Sequence, residues 1–277
     1  MGARHSLIAA ALAALAIVAV ARPGADRGAT HVVAIRAGGG DVPSNLLRIY
    51  VELSAAMEPG TAYEHIHLVD ESGHVTRDAF LELREELWSS DHRRFTLLFD
   101  PGRIKRGIRS NLEMGAPLVA GRRYRLIVDS TWRDARNYPL GASYEQELRV
   151  AGFDSIRPNP TTWRVSSPRS NTNDTLHVDF GEPLDYALAM RLITVVDARG
   201  DRIDGHAALD NAARSWTFVP TGSWQRGARL VIDPALEDLA GNNLLRAFDA
   251  DRAAGDRVSD AALTDTTPRI RVIVLRD

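Results

Sequence analysis

Cysteine is absent from this 277-residue chain. Its absence excludes disulfides, thiol nucleophiles, zinc–thiolate sites and the lipidated cysteine of a bacterial lipoprotein. If exported, the chain is held together by core packing alone. Charge of one sign is also lacking. The 34 Lys and Arg against 36 Asp and Glu leave a formal net charge of −2, which argues against a dedicated nucleic-acid binder. Past residue 21 no apolar run approaches the ~20 residues a membrane span needs, so the mature chain is expected to have none. Gly-rich phosphate loops and the His-Glu-x-x-His and Gly-x-Ser-x-Gly motifs are missing too. With no catalytic constellation, the chain reads as non-enzymatic and without a cofactor.

What is present begins with an export signal at 1–21. Arg4 supplies a positive start, 7–21 is unbroken and apolar, and Ala19-Val20-Ala21 is the small-x-small pattern a signal peptidase cuts. The mature chain is expected to start at Arg22, with 22–29 as a flexible leader. An uncleaved anchor is the alternative. Location is therefore expected in the periplasm, at the cell surface or outside the cell.

Two stretches then repeat each other. Asp-Ser-Thr-Trp-Arg-Asp-Ala-Arg-Asn-Tyr-Pro-Leu (129–140) aligns without a gap to Asp-Pro-Ala-Leu-Glu-Asp-Leu-Ala-Gly-Asn-Asn-Leu (233–244). Each follows an apolar run and reads as a strand emptying into a polar turn. Asp134 and Asp238 are placed to accept hydrogen bonds from the backbone amides just after them. Asn137 and Gly241 fall where positive φ is needed, which Gly adopts freely and Asn tolerates. With Asn242 these five are read as structural turn residues. A calcium loop on Asp233, Asp238 and Asn242 is the sharper alternative, but it offers few of the six or more oxygens a hard cation takes. The ending Asp-Leu-Ala-Gly-Asn-Asn-Leu resembles the closing motif of the S-layer type bacterial Ig-like domain. Positions 134–140 carry a degraded version, with Asn137 for the Gly and Tyr138 for the Asn. The resemblance implies two tandem secreted β-sandwiches and no particular reaction.

The rest of the chain agrees with two copies. Leu47, Ile49, Val51 and Leu53 alternate with polar residues, as do Leu176, Val178 and Phe180, the period-2 mark of a half-buried strand. Asp-Glu-Ser-Gly (70–73) matches Asp-Ala-Arg-Gly (197–200) at an offset of 127, against 104 at the repeated turn. The first copy is thus 23 residues longer inside, mostly in 81–93 and 103–119. Short alternating strands with Gly and Pro turns predict an all-β fold of two tandem Ig-like β-sandwich domains after the signal peptide. The expected boundaries are 30–151 and 172–277, with 152–171 as linker. The segment 250–265 reads as a long loop before a closing strand.

Three sets of residues are candidate sites. The insertion Arg-Ile-Lys-Arg-Gly-Ile-Arg (103–109) carries Arg103, Lys105, Arg106 and Arg109, which suit an anionic partner; the bland reading is a solvated loop. Tyr63, His65 and His67 fall at alternate positions of an expected strand, with His74 just across a hairpin. Imidazoles suit copper or zinc, so a periplasmic metal-binding protein is the alternative function; otherwise these are ordinary surface histidines. Glu82, Glu85, Glu86 and Asp91 could pair as glycosidase carboxylates, but Trp88 is their one aromatic neighbour, and a charged loop explains them. The reading favoured is an exported adhesion, scaffold or binding module of the envelope. Its partner would be an envelope or extracellular protein or polysaccharide.

Overall fold

The structure, a computed structural model, describes residues 29–249 and the strand 271–274; the expected signal peptide, nearly all of the expected leader and the segment 250–265 read as a loop lie outside the described residues. The chain is an all-β protein of two sandwiches. In the first, β1 (Val32–Arg36), β3 (Arg48–Leu53) and β5 (Arg94–Leu98) form one sheet. The facing sheet runs β2 (Asp41–Val42), β7 (Tyr144–Val150), β6 (Arg123–Val128), β4 (Ile66–Asp70). In the second, β8 (Arg164–Ser166), β9 (Leu176–Asp179), β12 (Ser215–Pro220) and β11 (Gly205–Leu209) pair in that order, facing β10 (Ile193–Val196), β13 (Arg229–Ile232) and β14 (Arg271–Val274). The closing strand expected at the C-terminus is β14, antiparallel to β13.

The alternating residues read as inward do build the cores. Ile49, Val51, Phe95, Leu97 and Leu126 lie in one core, and Leu176, Val178, Trp216, Phe218 and Leu230 in the other. A run of about ten such side chains, each worth roughly 1.5–3 kcal/mol on burial, explains how a cysteine-free chain holds together. Residues 152–171, expected as linker, belong in part to the second sandwich. Within them β8 pairs with β9, and Trp163 packs on Phe180 with ring centroids 4.6 Å apart. In the first sandwich the stretch matching β11 is irregular. It meets β5 and the residue after it through the isolated bridges Trp88–Phe95 and Phe80–Phe99 and through backbone bonds such as Thr96 to Leu87 and Leu81 to Leu98.

Short helical segments were not foreseen. α1 (Ala62–His65) and α4 (Tyr186–Leu192) enter β4 and β10 at equivalent places, while α2 (Pro101–Ile104) and α3 (Arg109–Met114) lie in the insertion. The fully buried Ala62 and Ala189 let a helical turn sit close on each core. Asp185 caps α4, accepting from the Leu188 amide at 2.9 Å.

The repeated turn is the same object twice. The Asp134 Oδ1 accepts from the amides of Arg136 (2.9 Å) and Tyr138 (3.0 Å). The Asp238 Oδ1 accepts from those of Ala240 (2.8 Å) and Asn242 (2.9 Å). Asn137 has φ +66° and Gly241 φ +83°. Bridges Met57–Asp134 and Leu184–Asp238 tie each turn to its equivalent partner strand.

The second turn also joins the two sandwiches. Leu239 packs into the first core, and its carbonyl accepts from the Leu47 amide at 2.9 Å. Its counterpart Ala135 is exposed. Gly241 lies so close to the first sandwich that an added Cβ would sit 2.6 Å from Leu47 Cδ2, and one at Gly38 would strike Leu239 Cδ1. Beside this plug, the Arg48 guanidinium reaches Asp185 (3.3 Å) and Glu237. The Tyr50 hydroxyl, 2.7 and 2.8 Å from the two Asp185 oxygens, donates to that carboxylate. Arg36 stacks on Tyr186 at 4.5 Å.

Leu239→Ala should therefore cost about 2–4 kcal/mol although the residue lies outside the first sandwich's own strands. Gly241→Val adds a branched side chain at positive φ as well as the clash with Leu47, and should cost more than ~1–2 kcal/mol. Denaturant unfolding reads both; a Gly241→Val midpoint equal to wild type would contradict this account of the turn.

Candidate functional site

The insertion starts where β5 ends. Asp100 caps α2 by accepting from the Gly102 amide, and Pro101 follows with its φ already fixed for a first helical turn. This helical turn directs Arg103 inward rather than to solvent. Arg103 is 7% exposed and donates to four backbone carbonyls: Gly115 (3.0 Å), Met114, Arg77 and Asp78. Asn111 donates back to the Arg103 carbonyl. A guanidinium has five donors and so can fasten a loop from beneath without any carboxylate. Arg103, expected in a binding cluster, is instead the anchor of the loop.

Lys105 and Arg106 also have internal contacts. The Lys105 ammonium lies 4.6 Å from the centre of the Phe248 ring. Arg106 stacks on Phe153 at 4.0 Å and pairs with Asp249 at 2.8 Å. Both thus fasten the insertion to the segment leaving the first sandwich and to the chain just past the second turn. Arg109 points outward and pairs with Glu113 one turn on, in full view of solvent. The structure therefore does not gather the four cations as one cluster. It adds Arg122 and Arg123, exposed at the far end of the same connection. A count of charge carried through to β6 would have found them.

The histidines do not share a strand face. Tyr63 and His65 lie in α1 and His67 in β4. A helical turn running into a strand breaks the alternation that a period-2 reading assumes. His65 stacks on Trp132 with centroids 6.2 Å apart and meets the Thr131 hydroxyl at 3.2 Å. It lines a shallow concavity of about 370 Å³ with Glu58, Arg133 and Asn137. His74 is exposed beside Asp70. Among the described residues, one group of three potential ligand side chains has its atoms within 4.8 Å of one another, and it holds none of the three histidines. The glycosidase reading fares no better. Glu86 is tied to the amides of Gly60 and Ala62 and to the Trp88 indole, which makes it a brace.

That acidic group is Asp154, Glu182 and Asp238, at the joint. Asp233 of the calcium reading is not in it. Three carboxylates fall short of a hard cation's six oxygens, and Asp238 is already committed to its turn. Asn242 donates to Asp238 Oδ2 (2.9 Å) and to the carbonyls of Asp154 and Ile156. Asn45 of the first sandwich grips Asp154 through its amide and its carbonyl. The twin aspartates consequently differ in charge chemistry. Burial raises Asp134, but bonds from Arg136, Thr30 and two backbone amides outweigh it and lower the carboxyl to about 2. Asp238 has no such cation; burial first, and Asp154 beside it, push it up to about 7. Burial and Asp154 likewise lift Glu182 to about 6.

No family model and no curated protein matches this chain. Solved structures that resemble it are Ig-like and surface-layer proteins at low similarity. A crystal structure of the S-layer protein SbsC has TM-score 0.30 and 12% identity, over 73% of this chain and 23% of that one. A structure of native alpha-2-macroglobulin from Escherichia coli spanning domains MG0-NIE-MG1 has 0.28 and 10%, over 79% and 86%. A tandem pair of titin Ig domains has 0.21 and 12%, over 74% and 91%. This chain spans less than a quarter of the S-layer structure it resembles. The fold stated above rests on its own strand pairing.

Two predictions follow from the site. Arg103→Ala leaves four carbonyls without a donor and should destabilise the first sandwich by about 2–4 kcal/mol, whereas Arg109→Ala should stay within ~0.5 kcal/mol; paired urea titrations compare them. The second concerns pH. Asp238 holds its proton more tightly folded than unfolded, so the unfolding free energy of the second sandwich should fall as pH rises from about 4 to about 7. Asp134 has the opposite sign: its contribution is complete above pH 3.8 and is lost as pH falls through about 2. Asp154→Asn removes the smaller of the two causes and should move the upper window to lower pH without abolishing it; an unmoved window would discard Asp154's part in it.

Proposed function

We propose that the chain is an exported, non-enzymatic module of the cell envelope. It acts as an adhesion, scaffold or binding protein whose insertion at 103–119 meets an anionic envelope protein or polysaccharide. The observation that carries this reading is the insertion itself. It interrupts one sandwich and not the other, it is fastened from beneath by Arg103, and it turns Arg109 outward. A connection with no partner would need neither the length nor the anchor, and loops on rigid scaffolds commonly carry binding. The plugged joint supports a scaffold role, since it sets the second sandwich at a defined place relative to the first. Among the described residues no helix is long and apolar enough to cross a membrane.

Export predicts that protein recovered from an envelope fraction begins at Arg22. Lys105→Ala with Arg109→Ala should melt within ~1–2 kcal/mol of wild type, because both cations are partly or fully exposed. The same variant should lose salt-sensitive retention on heparin-like polyanion resin, since surface charges act over only ~8 Å at physiological ionic strength. Retention equal to wild type at every salt concentration would refute the binding reading.

A further inference from the structure

The insertion is unusual in a second property besides charge. Four large apolar side chains within twelve residues face solvent: Ile108 (41% exposed), Leu112 (74%), Met114 (51%) and Val119 (48%). α3, which carries two of them, has no buried residue at all. The Leu112 amide bonds the Ile108 carbonyl, so these two lie one turn apart and share a face. Scattered exposed apolar residues need no explanation, but a run of them does. Around them the charge is one-sided. From 103 to 123 there are six Lys and Arg against one acidic residue, Glu113, in a chain whose net charge is −2. Five of the six cations are at least partly exposed; the sixth, Arg103, is the anchor below.

We infer that the outer face of α3 and its approach is a reversible docking site for an anionic lipid bilayer, with Ile108 and Leu112 entering the headgroup layer, Arg109 beside them meeting lipid phosphates, and the exposed Arg122 and Arg123 adding to the basic charge of the insertion. This rests on the reading above that the insertion is a binding surface, and takes lipid in place of a protein or polysaccharide as its partner. Charge alone fits any polyanion. The aliphatic side chains discriminate, because a hydrated anionic polysaccharide gives them nothing to enter, while the headgroup–acyl boundary takes up apolar residues flanked by cations. The anchoring suits this use: Arg103 and Asn111 secure the backbone from inside, which leaves the outward side chains free. Such docking is peripheral, unlike a spanning helix, and depends on both apolar burial and charge.

The test is co-sedimentation of the full mature chain with phosphatidylcholine vesicles and with mixed phosphatidylcholine–phosphatidylglycerol vesicles, at low and high salt, beside retention on polyanion resin. Wild type should bind the mixed vesicles, bind neutral ones far less, and release in salt. Ile108→Ser with Leu112→Ser should weaken vesicle binding roughly ten-fold or more while leaving resin retention and the melting curve unchanged. Arg109→Ala, Arg122→Ala and Arg123→Ala combined should weaken both vesicle binding and retention. If wild type is retained by resin but ignores anionic vesicles, the lipid inference fails and the polyanion reading stands; if it binds neither, both fail. Vesicle binding by the double serine variant equal to wild type, or equal binding to neutral and anionic vesicles, would also overturn the inference.

Discussion

A buried carboxylate has to be satisfied, and in this chain that requirement shapes the turn on which the rest depends. Asp134 and Asp238 each close a polar loop by accepting two backbone amides from one oxygen. A charge that deep without donors would cost several kcal/mol, so the loop wraps tightly and one residue is forced to positive φ. That tight wrap returns the chain beneath the core, with Trp132 and Leu236 fully buried just ahead of it. Both sandwiches are closed by the same local solution.

The two turns differ in what their remaining positions touch, and those differences build the joint. Where the first copy has Ala135, Asn137 and Tyr138 in solvent, the second has Leu239, Gly241 and Asn242 buried. Leu239 supplies apolar area to the neighbouring core. Gly241 admits Leu47, and Asn242 holds the crossing segment. The Arg48–Asp185–Glu237 set beside them is weak evidence of stability, because desolvating charges offsets most of their attraction. Its contribution is orientation: the carboxylate that caps α4 is also the one Tyr50 and Arg48 address, so helix start and domain contact are fixed together. Burial and Asp185 hold the Tyr50 phenol well above its ordinary value, which keeps it a donor throughout the physiological range.

The insertion buries Arg103 beside the apolar Ile104 and Leu118 and turns its other large apolar side chains out. Arg103 turns four carbonyls into a foundation, and Lys105 and Arg106 fasten the loop to the segment leaving the first sandwich and to residues just past the second turn. What remains on the outer side is the part the fold does not use. A connection stabilised in this way can carry solvent-facing Ile108 and Leu112 without drawing them into a core.

The sequence by itself determined the strands, the doubling and the turn, because each is local. Period-2 alternation at 47–53 and 176–180 reports burial directly, and Asp with Gly or Asn at a fixed spacing reports a backbone conformation independent of what surrounds it. Tertiary structure decided everything that depends on a second surface. Tyr63, His65 and His67 alternate as a strand would, yet buried Ala62 draws the first two into a helical turn. Residues 152–171 look like linker, yet Trp163 finds Phe180, 17 positions further along the chain. Arg103 is indistinguishable from Arg109 in composition, and only the fold's placement of four carbonyls around one and water around the other separates anchor from surface. The twin aspartates make the same point in charge: one motif yields a carboxyl near 2 and another near 7, because Arg136 stands beside the first while the second is buried without a cation and has Asp154 beside it. Local sequence sets most of the conformation; electrostatic character and exposure are properties of neighbours that lie far away along the chain.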